Sequence, residues 1–222
     1  ARYSGMVART KHIDSRVHIR QGAQPVVYAV GDPVDAYAIV RLERGGMERD
    51  LPEQTVAEVV WSTPHGYRAI LGSLATLCFN SSALRWCEPG DGPFLTQFID
   101  RGMEARRMHT PMYRVLDVAA ALRALRPEGG GSLVLEVEDE LLAANDGPWL
   151  IEWGGGEVAV GPAPARAAGL RMPIGALTQA LLGEPSLDEV VRAGMVEVHD
   201  PRALAAARRQ LPPFPTHCLD FF

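Results

Sequence analysis

Hydrophobic residues along this chain recur with two different periods, and the changes between them predict its elements. Pro25–Val30 and Ala36–Leu42 are apolar and rich in β-branched residues, and Gly31-Asp32-Pro33 between them supplies turn residues. Two strands joined by a turn are expected there. A third strand is expected over Thr55–Ser62. Thr63 then reads as a helix cap, with Pro64 in the first turn, where a missing N–H costs nothing. Tyr67, Ile70, Leu71, Leu74, Leu77 and Cys78 form the i, i+3, i+4, i+7 stripe of a helix laid on a sheet. A short strand, Ala83–Cys87, the Pro89–Pro93 loop and a helix near Phe94–Arg101 complete an α+β unit.

Past residue 108 the pattern starts again. Met112–Leu116 reads as a strand, and Asp117 caps a helix that runs to Arg126 with Ala121, Leu122 and Leu125 inward. Pro127 and Gly129-Gly130-Gly131 end it. Ser132–Val137, Trp149–Trp153 and Glu157–Gly161 read as strands, with Ala168–Met172 as a candidate fourth. Ile174, Leu177 and Leu181 mark a helix stopped at Gly183. Ser186 and Glu189 form a capping box, and Asp200-Pro201 starts a last helix with Arg208 and Arg209 in its final turn, where cations suit the dipole. The tryptophans at 61, 86, 149 and 153 fall on strands, which fits core packing better than a ligand pocket.

Composition narrows the function classes. The 222 residues suffice for one large domain or two small ones, and 47% hydrophobic with 22% charged residues is ordinary for a globular protein. A net charge of −5 and a pI of about 5.7 argue against a nucleic-acid or anionic-membrane surface. Arg101, Arg106 and Arg107 are interleaved with Asp100 and Glu104, as on a solvated helix face. No stretch approaches the ~20 apolar residues of a membrane span. Cys78, Cys87 and Cys218 show no C-x-x-C spacing, so reduced thiols of a cytoplasmic protein are expected. The six histidines show neither H-x-H nor H-E-x-x-H, so no metal is expected. The chain opens at Ala1, which fits either a piece cut from a longer polypeptide or removal of an initiator methionine.

Three segments are candidates for chemistry. Arg126–Gly131 fits R-x-x-G-x-G, the pattern that holds pyrophosphate in acetyl-CoA-dependent acetyltransferases. That chemistry needs strand, loop, then helix, so that N-terminal amides face the phosphate. Here the order is helix, loop, strand, and a chance match is expected. Glu136 and Glu138 share a strand face beside Asp139 and Glu140, which suits a solvent-facing strand end better than an acid–base pair. Finally, the chain ends His217-Cys218-Leu219-Asp220-Phe221-Phe222 after a rigid Pro212-Pro213-Phe214-Pro215 run. Each terminal phenylalanine carries roughly 150–250 Å² of surface, so the tail is expected to be tucked inside, taking its carboxylate with it. Two readings stand: the aromatics pin the C-terminus to a core, or the sheltered anion serves chemistry.

Four stretches together resemble a known family. They are Ala1–Thr10, Val56–Leu71 with its Thr63-Pro64-x-x-Tyr67-Arg68-Ala69-Ile70-Leu71 helix, the Tyr113–Leu122 strand–helix junction, and the aromatic tail. The chain is similar over its whole length to the Eis-like (enhanced intracellular survival) N-acetyltransferases of the GNAT superfamily. The resemblance implies an α+β fold: a GNAT-like mixed-sheet domain without a working cofactor site over 1–108, including an N-terminal linker, then a sterol-carrier-protein-like domain over 109–222 that holds the buried tail. It implies that acetyl-CoA is bound by a catalytic GNAT domain missing from this chain, and that this chain alone is inactive. It further implies that the Phe222 carboxylate is the catalytic base for a small-molecule or lysine-type amine, that Phe221 and Asp220 shape the acceptor pocket, and that the protein is a homo-oligomer. Some relatives carry an acid next to last; here Phe221 holds that place and the acid is Asp220. A sterol-carrier-like lipid-binding module and a non-catalytic oligomerisation scaffold are the alternatives.

Overall fold

A computed structural model of the chain describes residues 25–43, 51, 53–88, 92–98, 104–106, 112–164, 167–213 and 216. They divide into two compact units, the first ending at Gly92 and the second beginning at Pro93.

The first unit is a four-stranded mixed sheet with one long helix. Strands β1 (Val26–Val30), β2 (Ala36–Glu43), β3 (Glu53–Trp61) and β4 (Ala83–Trp86) lie in sequence order. Neighbours are antiparallel except β3 and β4, which are parallel and joined by the crossover helix α1 (Pro64–Leu77). Ile70, Leu74 and Tyr67 from α1 pack on Ala38, Val40, Val56 and Trp61 from the sheet. Cys78 departs from the expected stripe: it begins a 3-10 turn and is exposed. A bulge shapes β3. Ile39 pairs with Glu58 but Val40 pairs with Val56, leaving Ala57 unopposed. The extra residue restores the alternation, so Val56, Val59 and Trp61 all reach the helix-facing core.

The second unit contains α2 (Pro93–Phe98), α3 (Val118–Arg123), β5 (Gly131–Glu138), β6 (Gly147–Gly154), β7 (Glu157–Pro162), β8 (Leu170–Pro173), α4 (Ile174–Leu182), α5 (Leu187–Arg192), β9 (Glu197–Val198) and α6 (Pro201–Gln210). Its sheet has the order β7-β6-β5-β8-β9, with β5 and β8 parallel and the other pairs antiparallel. The core joins Leu135, Val137 and Ile151 of the sheet to Leu122 of α3, Leu177 of α4 and Val190 of α5. Local signals are met in full here. Ser186 and Glu189 close their capping box, Asp200 accepts from Arg202 N, and Gly183 ends α4 in the left-handed region at φ 79°.

Two expectations are corrected. Met112–Leu116 is not a strand. Its backbone groups are taken by side chains instead of a ladder: Val115 N donates to Thr178 Oγ1 at 3.2 Å, and Leu116 O accepts from Asn145 Nδ2 at 3.3 Å. The helix after Asp117 ends at Arg123 rather than Arg126, because the Arg126 guanidinium folds back onto the carbonyls of Arg123, Ala124 and Leu125 at 3.3, 3.1 and 2.8 Å. The helix expected near Phe94–Arg101 covers Pro93–Phe98, and its expected end lies outside the described residues.

Candidate functional site

Among the described residues glycine lies at several junctions of helix and strand, Gly175 at β8–α4 included, and two others, at β3–α1 and at Arg126–Gly131, fit no pyrophosphate. The first is the β3–α1 junction, where the order strand, turn, helix is right. The turn is only Ser62 and Thr63, and it is already occupied by the chain's own groups. Thr63 Oγ1 accepts from Gly66 N at 2.9 Å. Ser62 donates to Asp35 O from both N and Oγ, at 2.8 and 3.0 Å. Asp35 sits directly on the first turn: a Cβ at Gly66 would lie 2.9 Å from Asp35 O and 3.0 Å from Asp35 Cβ. The Ser62 amide is therefore taken by the Asp35 carbonyl and the Gly66 amide by Thr63, and Gly66 is required for the close approach of the Asp35 backbone rather than for a ligand.

The second place is Arg126–Gly131. The structure confirms the order helix, loop, strand. Arg126 caps the carboxyl end of α3, and Gly131 is small because Trp153 lies over it, with Cζ2 2.5 Å from where a Cβ would be. Gly129 has φ +72°, a turn conformation. Each feature of the motif thus has a local structural duty. Among the described residues, no three histidine, cysteine, aspartate or glutamate side chains gather as a metal-binding group, and no helix is long and apolar enough to cross a membrane.

The acidic run on β5 separates into two environments. Glu136 and Glu138 stay on the surface beside Arg171 of β8, which is ion-paired to Glu138 and lies 3.9 Å from Glu136 and 4.0 Å from Glu197. They are charge partners of an arginine, not an acid–base pair. Asp139 departs from the solvent-facing reading: its side chain is 0% exposed. Burial alone pushes its carboxyl up, but hydrogen bonds from Asn145, Leu142 and Leu141 and the charge of Arg114 outweigh that and hold it below its usual value. Oδ1 accepts from Leu141 N and Leu142 N at 3.0 Å each and from the Arg114 guanidinium, and Oδ2 accepts from Asn145 Nδ2 at 3.0 Å. Asn145 extends the network through Oδ1, which accepts from Val118 N at 3.0 Å, and through its carbonyl, which accepts from Trp149 Nε1 at 3.0 Å. This buried carboxylate ties the segment before α3 to the β5–β6 turn. Buried, held ionised and accepting four hydrogen bonds, it is an anchor.

The aromatic candidates are core. Trp61 and Trp153 are buried, and Trp86 and Trp149 pack against the two cores from partly buried positions. The proposed catalytic Phe222 and the pocket residues Phe221 and Asp220 lie outside the described residues. The chain leading toward them is fixed at two points. Leu211 is buried at the end of α6, and Thr216 Oγ1 donates to Leu182 O, one of the free carbonyls at the end of α4.

Residues 118–219 match the family described as the sterol carrier protein domain. No curated protein matches the sequence. Among solved structures the fold is similar to a GCN5-related N-acetyltransferase from Anabaena variabilis, at TM-score 0.80 and 19% identity over 94% of this chain and 53% of that one. It is similar to Eis1 from Mycobacterium abscessus, at TM-score 0.72 and 22% identity over 91% of this chain and 52% of that one. A GCN5-related N-acetyltransferase from Kribbella flavida aligns at TM-score 0.60 and 18% identity, over 84% of this chain and 48% of that one. These superpositions show a shared fold. The chain spans about half the length of the solved structures it matches.

Proposed function

We propose that this chain is the acceptor-side half of an acetyl-CoA-dependent N-acetyltransferase. The observation that carries this reading is the β3–α1 junction. It has the topology of a GNAT cofactor site, but Asp35, Ser62 and Thr63 occupy it, so the cofactor is held by another domain. On this reading residues 1–108 are a second GNAT-like domain with its linker, and 109–222 a sterol-carrier-like domain. The chain shapes the pocket for a small-molecule or lysine-type amine and builds a homo-oligomer. The Phe222 carboxylate accepts the proton that the attacking amine loses, with Phe221 and Asp220 beside it. An α-carboxyl titrates at about 3.3–3.7 in water, so it needs an aromatic, water-poor setting to become a competent base.

Calorimetry tests the cofactor assignment. Titrating acetyl-CoA into this chain should give no saturable heat. Stoichiometric binding with a micromolar dissociation constant would overturn it.

The match of 118–219 to sterol carrier domains favours a second reading, an apolar ligand held in the second unit. Lipid extracted from the purified protein in stoichiometric amount would put that reading first.

A further inference from the structure

Thr216 lies outside every described helix and strand, yet its hydroxyl makes a contact 34 positions away in sequence. Oγ1 donates to Leu182 O, the carbonyl of the last residue of α4. Helix-end carbonyls need donors from outside the helix's own ladder. Gln179 O accepts from Gly183 N at 2.9 Å, and Leu182 O accepts from the Thr216 hydroxyl. The approach to this contact is stiff. Leu211 is buried at the end of α6, with its N donating to Ala207 O at 2.8 Å. Pro212-Pro213-Phe214-Pro215 then links Leu211 to Thr216, and each proline ring fixes its own φ. A linker with few conformations to lose favours the contact at its far end.

Among the described residues Thr216 is the anchored one nearest the chain's end. Measured from Leu211 the terminal carboxylate is eleven residues away; measured from Thr216 it is six. Six residues span at most about 22 Å, and the entropy cost of bringing a chain end to one place falls as the span shortens. A base must come within about 3 Å of the group whose proton it takes. We propose that Thr216 is a positioning residue: its bond to the carboxyl end of α4 sets the point from which the Phe222 carboxylate reaches the attacking amine. The inference rests on the reading of that carboxylate as the base. Thr216 acts through the six residues that follow it, not on the amine itself.

Two measurements test it. In this chain, a carboxypeptidase selective for aromatic ends reads how accessible the terminal phenylalanine is. Thr216→Val keeps the shape and removes the donor. It should speed phenylalanine release about fivefold, the change expected for one net hydrogen bond. Thr216→Ser keeps the hydroxyl and should restore the wild-type rate. In an acetyltransferase that joins this chain to a catalytic GNAT domain, Thr216→Val should lower kcat about fivefold with KM unchanged, and Thr216→Ser should recover it. Adding Thr216→Val to the enzyme lacking Phe222 should cost nothing further, because the group it positions is gone. Unchanged release in Thr216→Val, or a loss of kcat that persists undiminished without Phe222, would overturn the positioning role and leave the base in place. Wild-type turnover without Phe222 would overturn the base itself, and the positioning role with it.

Discussion

On the proposed function, removing Phe222, or adding a few residues beyond it, should lower turnover about 100-fold in an acetyltransferase that joins this chain to a catalytic GNAT domain. The figure is the lower end of what a positioned general base contributes. Both changes move the terminal carboxylate. The loss should fall on kcat rather than KM, because a base acts on the amine as it attacks and not on its binding. Extension is the sharper variant, since it keeps both aromatics and displaces only the charge. The pH profile provides a second readout: the limb of kcat/KM that rises with pH should lose the contribution of the missing base. Unchanged turnover would remove the tail from the chemistry and leave the scaffold reading in place.

The largest expected effect on stability is at Asp139. Its side chain is fully buried, and its carboxylate accepts from Arg114, Asn145 and two backbone amides. Asp139→Asn keeps the shape but turns an acceptor-only group into one that aims N–H groups at existing donors. It should be strongly destabilising at pH 7, as breaking a buried pair by one partner usually is. The pH dependence follows from the direction of the shift. The folded carboxyl titrates below 3.8, its ordinary value. Its stabilising contribution is therefore complete above that value and fades as pH falls from there through the folded pKa. Urea unfolding followed by circular dichroism should show a large gap between wild type and Asp139→Asn at pH 7, narrowing below pH 3.8. Equal stability at pH 7 would contradict the anchoring role.

What was legible in the sequence was local. Thr63-Pro64, the Ser186–Glu189 box, Asp200-Pro201 and Gly183 lie within a few residues of the groups they satisfy, and each marks its helix end correctly. Met112–Leu116 forms no strand because its conformation depends on distant partners. Arg114 is drawn to Asp139 and Val115 to Thr178, and neither partner is visible from the pentapeptide Met-Tyr-Arg-Val-Leu. Asp139 is hidden for a related reason: in sequence it is one acid among four, and only the folded turn brings the Leu141 and Leu142 amides and Asn145 Nδ2 over it. That turn residues follow Asp139 at short range was the available signal. The Ala57 bulge and the two-residue β9 carry no composition cue at all. Of the candidate site, the motif at Arg126–Gly131 is set aside by element order alone, and the structure supplies local reasons for Arg126, Gly129 and Gly131.

The division of labour between two halves is tested most directly by one assay. Acetyl transfer from acetyl-CoA to a panel of amines is measured for this 222-residue chain alone and for the protein with a GNAT domain upstream. Transfer only by the longer protein is the expected result. Saturable transfer by the short chain, or none by the longer one with any amine, would contradict the account.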